Sequence, residues 1–277
     1  METITGKVAV VTGAGSGIGR ALARRVAAEG GHVVLADVER APLDAVAREL
    51  TDAGAEVLAV PTDVSDGEAV DALRDAALER FGAVHLVCNN AGVSTGGLLW
   101  EQTVADWEWV LGVNLWGVIH GVRAFTPTLV AQGEGHIVNT ASVAGLLNPP
   151  FMGVYNATKH AVVSLSETLH GELAMTGSGV GVSVLCPGWV NTRIHEAGRN
   201  RPEGETGAAE VDAGFLDVVG GLLANGLDPD DVAGMVLDAV RANRFYVLTH
   251  PTWTPMVVER VERIARGEDP VGTSLPM

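Results

Sequence analysis

The sequence predicts a doubly wound α/β fold, a parallel sheet of about seven strands with helices on both faces. Three observations predict it. Short, continuously apolar runs alternate with helix-period stretches along most of the chain, turn residues punctuate the joins, and the first run opens directly into glycines. Strand and helix in regular alternation imply parallel strands joined by right-handed crossovers.

Each element follows in order. Residues 7–12 (KVAVVT) read as the first strand, and 17–29 as a helix stopped by Gly30 and Gly31. Residues 32–37 (HVVLAD) are the next buried strand. A helix over about 42–53, a strand over 56–60, a helix over about 66–81 and a strand over 85–89 continue the pattern. A long helix over about 103–132, with a break allowed near Gly112, leads to a strand over 136–142. A helix over about 154–175 follows, then a strand over 180–186 that ends at Pro187-Gly188. From about 191 to 213 the pattern is lost in a polar stretch rich in Gly, Arg and Glu, predicted to be a substrate lid. Helical periodicity returns over about 228–242, capped by Asp228 or Asp230. A last strand over 245–248, a helix over 254–265 and a weakly ordered tail over about 267–277 close the chain. There is no internal repeat and no linker, so 1–277 reads as a single domain for dinucleotide binding and catalysis together.

Composition bounds the function. The chain has 277 residues, 47% hydrophobic, with 35 glycines, enough for one large core. Its formal charge of −16 repels phosphate backbones and argues against a nucleic-acid partner. The two cysteines, Cys88 and Cys186, each fall in an apolar strand-like run. They read as small buried hydrophobes rather than a disulfide framework or a metal site, and no metal is expected. The first strand begins at about Lys7, which leaves no room for a signal peptide. No uncharged apolar stretch reaches the roughly 18 residues of a membrane span. The expectation is a cytoplasmic protein with no membrane partner.

Thr12-Gly13-Ala14-Gly15-Ser16-Gly17-Ile18-Gly19 joins the first strand to the first helix. Glycines suit a tight turn and let backbone approach a pyrophosphate, and the helix start behind them offers free N–H groups and a positive dipole. Gly13, Ser16, Gly17, Ile18 and Gly19 are therefore predicted to bind a dinucleotide. The spacing, Gly-x-x-x-Gly-x-Gly, departs from the commoner Gly-x-Gly-x-x-Gly. Asp37 ends the second strand, where a carboxylate can take both hydroxyls of the adenosine ribose and repel a 2′-phosphate. NAD is predicted over NADP, with Arg40 near enough in sequence to soften the preference.

The chain has only two tyrosines, and one of them, Tyr155, stands four residues before Lys159. On a helix, positions i and i+4 share a face. The ammonium is expected to stabilise the phenolate, so that the phenol exchanges its proton more readily than a free one of pKa about 10. That pairing points to acid/base chemistry on an alcohol or a carbonyl. His160 points off this face and reads as packing.

Taken in order, Thr12 to Gly19, Asp63-Val64, Asn89-Asn90-Ala91-Gly92, Asn114, Ser142, Tyr155 with Lys159, and Pro187-Gly188 resemble the short-chain dehydrogenase/reductase family in its compact single-domain form. The resemblance covers about residues 7–192. It implies a Rossmann-type sheet and a role for each position. Asp63 and Val64 would hold the adenine ring. Asn89, Ala91 and Gly92 would support the sheet and line the cofactor cleft, with Asn90 beside them. Pro187, Gly188, Val190 and Thr192 would bracket the nicotinamide. All these segments follow the C-terminal ends of strands, where open α/β sheets bind ligands. Tyr155 would take the hydroxyl proton of an alcohol as hydride leaves, or return it to a ketone. Lys159 would stabilise the phenolate and hold the nicotinamide ribose, and Ser142 would donate a hydrogen bond to the substrate oxygen. Asn114 would distort its helix, where asparagine is a poor former, and hold a water in a proton relay from Lys159. The alternative for Asn114 is a buried amide that satisfies backbone groups.

Substrate contacts are expected from residues 93–98, 143–152 and Trp189 onward. Beside Ser142, the side chains of Leu146, Leu147, Phe151, Met152 and Trp189 either make an apolar wall, which suits a hydrophobic secondary alcohol or ketone, terpenoid or steroid-like in shape, or several of them pack the loop itself. Arg193, Arg199 and Arg201 either meet a substrate carboxylate or, the favoured reading, are solvated charges on the lid. Trp107, Trp109 and Trp116 cannot all face one side of a helix, so some belong to the core and some to an interface. The resemblance implies a homotetramer built through this helix and the one carrying Tyr155, with a second interface at the C-terminal helix and Phe245 and Tyr246. Two alternatives compete. A ketoreductase of acyl thioesters would want NADPH and a basic docking surface, which Asp37 and the acidic charge oppose. A catalytically silent NAD-binding sensor or scaffold should have lost Tyr155, Lys159 or Ser142, and all three are present.

Overall fold

The structure is a computed structural model that describes residues 1–202 and 213–272. The first apolar run forms β1 (Val8–Thr12) and the second β2 (His32–Asp37). Every residue of β1 is buried, because Val8 and Val10 enter one core while Ala9 and Val11 enter another on the opposite face. A strand covered on both sides needs apolar residues at consecutive positions, as its sequence supplies. The remaining strands are β3 (Val57–Pro61), β4 (Leu86–Asn89), β5 (Gly135–Thr140), β6 (Val180–Cys186) and β7 (Tyr246–Leu248). Among the described residues these make one parallel sheet of seven strands in the order β3-β2-β1-β4-β5-β6-β7. The predicted fold class is borne out. The order reverses between β1 and β4, and a crevice opens at such a switch point.

The helices are α1 (Gly17–Ala28), α2 (Arg40–Asp52), α3 (Gly67–Phe81), α4 (Val104–Leu111), α5 (Gly117–Gln132), α6 (Gly153–Thr176), α7 (Ala213–Ala224), α8 (Pro229–Arg241) and α9 (Thr254–Arg266). Leu22 of α1, Leu43 of α2 and Val236 of α8 pack on one face of the sheet. Leu73 of α3, Phe125 of α5 and Leu169 of α6 pack on the other. Asp228 caps α8 by accepting from the Asp230 N–H at 2.8 Å.

The break allowed near Gly112 is present, and three other expectations change. The long helix over 103–132 is divided: α4 starts with a Thr103–Asp106 capping box, a π-helical turn occupies Gly112–Trp116, and α5 then continues. The strand expected over 136–142 ends at Thr140, and Ser142 instead heads a short 3-10 turn, Val143–Gly145, where its Oγ accepts from the Ala144 N–H at 3.1 Å. Within the expected lid, Ile194–Asn200 is 3-10 helical, while residues 203–212 lie outside the described residues. The pattern resumes earlier than expected, at α7, whose three glycines, Gly214, Gly220 and Gly221, hide its periodicity. Of the expected tail, 267–272 has no helix or strand, and 273–277 lie outside the described residues. No described helix is long and apolar enough to cross a membrane.

Candidate active site

The C-terminal ends of the central strands open into a cleft of about 450 Å³, within the range of small-ligand sites. Its construction begins with the glycine loop. A Cβ on Gly19 would stand 2.1 Å from the Gly13 carbonyl oxygen, and one on Gly13, whose φ is +65°, would stand 2.9 Å from Ala91 Cα. Glycine here allows α1 to start hard against the loop and the loop to lie hard against β4. Gly13, Ser16, Gly17 and Ile18 face the cleft, whereas Gly19 is buried behind them and shapes the turn without lining it. Ser16 makes no side-chain cap and the first turn of α1 holds no acidic residue. Its leading N–H groups and positive dipole end therefore suit a phosphate.

Asp37 lies at the far end of this wall. Its Oδ2 accepts from the Gly15 N–H at 2.8 Å and its Oδ1 from the Glu39 N–H at 2.9 Å. Burial raises its pKa, and these two N–H bonds act against that shift. Thr12 Oγ1 accepts from the N–H groups of Asn90 and Ala91 at 2.9 and 3.0 Å, while Asn90 Nδ2 donates to the Thr12 carbonyl at 3.0 Å. These bonds join the ends of β1 and β4, so Asn90, Ala91 and Gly92 border the cleft. Asp63 and Val64 border it after β3, and Pro187, Gly188, Val190 and Thr192 after β6. A cradle that any Cβ would fill, a free helix start and a ribose-height carboxylate together fit a dinucleotide.

Ser142, Tyr155 and Lys159 meet on the floor, all three buried. Ser142 stands beside the Tyr155 phenol and favours its ionised form. Lys159 Nζ donates to the Thr140 carbonyl at 2.9 Å and stands 5.5 Å from the centroid of the Tyr155 ring. Burial dominates both titrations: it pushes the Tyr155 phenol up to about 12, Ser142 opposing, and the Lys159 ammonium down to about 8. Burial acts against the lowering expected from the lysine, because the phenolate loses its hydration in the closed floor. His160 packs as expected off this face, its Nδ1 3.0 Å from the Asn156 carbonyl.

Asn114 is fully buried within the π-helical turn. Its Oδ1 accepts from the Val93 N–H at 2.8 Å, and its Nδ2 donates to the Val93 carbonyl at 2.9 Å and to Thr158 Oγ1 at 3.3 Å. The helix distortion expected of it is present. Its side chain satisfies backbone and fixes the segment after β4; it does not line the cleft.

The apolar wall differs from expectation. Met152 and Trp189 border the cleft, but Leu146, Leu147 and Phe151 do not. The Ser142 turn directs Leu147 under Trp253, 1% exposed, and Leu146 into a small separate pocket with His250 and Trp253. Asn156 Nδ2 pins this loop by donating to the Pro149 carbonyl at 2.9 Å. Phe151, at a φ of +65°, offers its carbonyl to the Gly97 N–H at 2.8 Å while its side chain is half exposed. In their place stand Trp109, Val113, Ile194, Val219 and Leu223. Sequence reasoning missed Val219 and Leu223 because α7 itself was hidden, and assigned Trp109 only to core or interface. The three lid arginines are not free. Arg193 bonds Glu196, Arg199 bonds Glu39, and Arg201 bonds buried Asp106 while its guanidinium lies 4.6 Å over the Trp109 ring.

Comparison with known proteins decides the family. The short chain dehydrogenase family model matches residues 7–203. The chain belongs to the short-chain dehydrogenase family. Among its relatives, a 1-deoxy-11-beta-hydroxypentalenate dehydrogenase of Streptomyces exfoliatus is 39% identical over 247 residues, 88% of this chain and 83% of that one. A CLA biosynthesis dehydrogenase/reductase of Lactiplantibacillus plantarum is 32% identical over 271 residues, 95% of each. Among solved structures, a short chain dehydrogenase/reductase of Burkholderia phymatum in complex with NAD is 50% identical, covers 100% of both chains and superposes with a TM-score of 0.96. This short-chain dehydrogenase is an oxidoreductase.

Proposed function

We propose that the protein transfers hydride between NAD(H) and a hydrophobic secondary alcohol or its ketone, of terpenoid or steroid-like shape, with Tyr155 exchanging the proton. The observation that carries this reading is the meeting of Ser142, Tyr155 and Lys159 under a wall that contains Met152, Trp109, Trp189 and Leu223. Bound NAD would supply the hydride acceptor. In reduction, the buried Tyr155 phenol holds the proton that the ketone oxygen receives. In oxidation, Tyr155 takes that proton, with the Ser142 hydrogen bond stabilising the phenolate that preceded it. Lys159, fixed by Thr140, positions its ammonium for the nicotinamide ribose and raises the local positive potential. Gly13, Ser16, Gly17, Ile18, Asp63 and Val64 seat the adenosine and pyrophosphate half.

The Streptomyces relative acts, by its name, on a hydroxylated pentalenate, which supports the substrate class. Presence of the whole trio opposes a silent scaffold. A homotetramer is part of the same proposal. Val258, Val261 and Ile264 of α9 are exposed together, and Tyr246 and Leu248 are exposed on the edge strand β7; association would bury them. So is a cytoplasmic location, supported by two unpaired cysteine thiols in the core.

The test is absorbance at the reduced-nicotinamide band, with NAD and NADP in parallel, against secondary alcohols that include terpenoid and steroid members. Turnover with NAD on the polycyclic members is expected. NAD binding with no turnover on any of them would end the substrate reading. A monomeric mass by light scattering at micromolar protein would end the tetramer.

A further inference from the structure

Glu39 and Arg199, 160 residues apart, meet at the end of the cleft walled by Asp37. Arg199 Nε donates to Glu39 Oε1 and Oε2 at 3.1 and 3.2 Å, and Nη2 donates to Oε2 at 2.9 Å. Asn200 Nδ2 adds a donor to the same carboxylate at 3.3 Å. The remaining edge of the guanidinium is used as well: Nη1 donates to the carbonyls of Arg193 and Glu196 at 3.2 and 3.0 Å. The two side chains are only 25% and 24% exposed.

Three features set this clasp apart from an ordinary surface pair. Exposed ion pairs contribute little and are loosely held, whereas this guanidinium is fixed on three sides. It joins the turn after β2 to the segment after β6, two walls of one cleft. And Glu39, Arg199 and Asp37 border the same space, close enough that the charges of Glu39 and Arg199 both act on the Asp37 carboxyl. A guanidinium at such a place is what a 2′-phosphate would recruit, since its fork matches phosphate oxygens.

We propose that Glu39 is a second determinant of cofactor choice: by engaging Arg199 in this clasp it withholds the guanidinium from the 2′-phosphate of NADP. This deepens the reading of Asp37 as the ribose-binding carboxylate and rests on it. Asp37 repels the phosphate, and Glu39 denies it a cation. The sequence neighbour Arg40 takes no part, being paired with Asp44 on the outer face of α2.

The experiment is titration of NADH and NADPH, without substrate, into wild type, Glu39→Gln, Arg199→Ala, the double variant Glu39→Gln/Arg199→Ala, and Asp37→Ala, followed by quenching of tryptophan fluorescence. Glu39→Gln is expected to tighten NADPH about tenfold or more while NADH changes by less than about threefold. The gain must vanish in the double variant, which separates recruitment of Arg199 from simple loss of a negative charge. NADPH binding unchanged in Glu39→Gln, or a gain that survives removal of Arg199, overturns the proposal. Asp37→Ala reads the foundation separately: an unchanged NADH/NADPH ratio there removes the Asp37 reading and the proposal with it, whatever Glu39→Gln does.

Discussion

The two walls of the cleft are held by different means. On the cofactor side, strand ends, backbone N–H groups on Asp37 and the Thr12–Asn90 clamp fix the geometry through the main chain. On the opposite side, after β6, side-chain pairs hold it: Arg193 with Glu196 and Arg201 with Asp106 and Trp109, while Arg199 with Glu39 ties the two walls together. A wall made from backbone tolerates little change, because glycine contacts have no slack. One made from ion pairs can be rewritten by single substitutions without disturbing the sheet.

The sharpest break belongs to the floor between the walls. Tyr155→Phe should lower turnover by about 10²–10⁴-fold, the usual worth of a positioned acid/base, and leave NADH binding intact; near-normal steady-state rates would remove Tyr155 from the chemistry. On the cofactor side, Gly19→Ala would place a Cβ 2.1 Å from the Gly13 carbonyl. We expect a loss of about 1–3 kcal/mol in denaturant stability and at least tenfold weaker NADH binding. Wild-type affinity in this variant would mean that the loop is softer than a main-chain wall should be.

The sheet beneath that wall gives a pH test. Ser183 donates to the Arg244 carbonyl at 2.7 Å, so His136, 2.8 Å from the same hydroxyl, must donate through Nε2 and leave Nδ1 bare and without a partner. Burial pushes His136 down to about 3 from an ordinary 6.5. Below pH 6.5 the unfolded chain therefore binds a proton that the folded one refuses, and stability falls with pH towards 3. Between pH 7 and 5 this histidine alone should remove roughly 2 kcal/mol. Urea unfolding at the two pH values, compared with His136→Asn, should show that difference only in wild type; equal slopes would show that the histidine does not govern it.

The smallest effect is expected on the substrate side. Arg201→Leu removes a partner of Asp106, which is 1% exposed, while the capping bonds from Thr103 remain. Stability should fall by on the order of 1–2 kcal/mol, below the range for a fully buried pair because Arg201 meets solvent. Substrate KM should rise several-fold with the Kd for NADH unchanged. If both constants moved together, the two walls would not be independent.

Legibility follows the same division. The glycine loop, Asp37 and the Tyr155–Lys159 pair were readable because each is a local pattern whose spacing alone sets its geometry. The apolar wall was not. Leu147 was expected to face the cleft, yet Trp253, over a hundred residues later, covers it. The lid arginines read as solvated charges, and nothing near them in sequence announces Glu39 or Asp106.

By itself the sequence determined the parallel sheet, most of its helices and the i,i+4 placement of Tyr155 and Lys159, since period, turn residues and spacing are properties of short segments. Tertiary structure alone decided which apolar residues face the cleft, which carboxylate holds each arginine, and that burial acts against the ionised forms of Tyr155 and Lys159. Those outcomes depend on groups distant in the chain and on the loss of water around them, which no local pattern records.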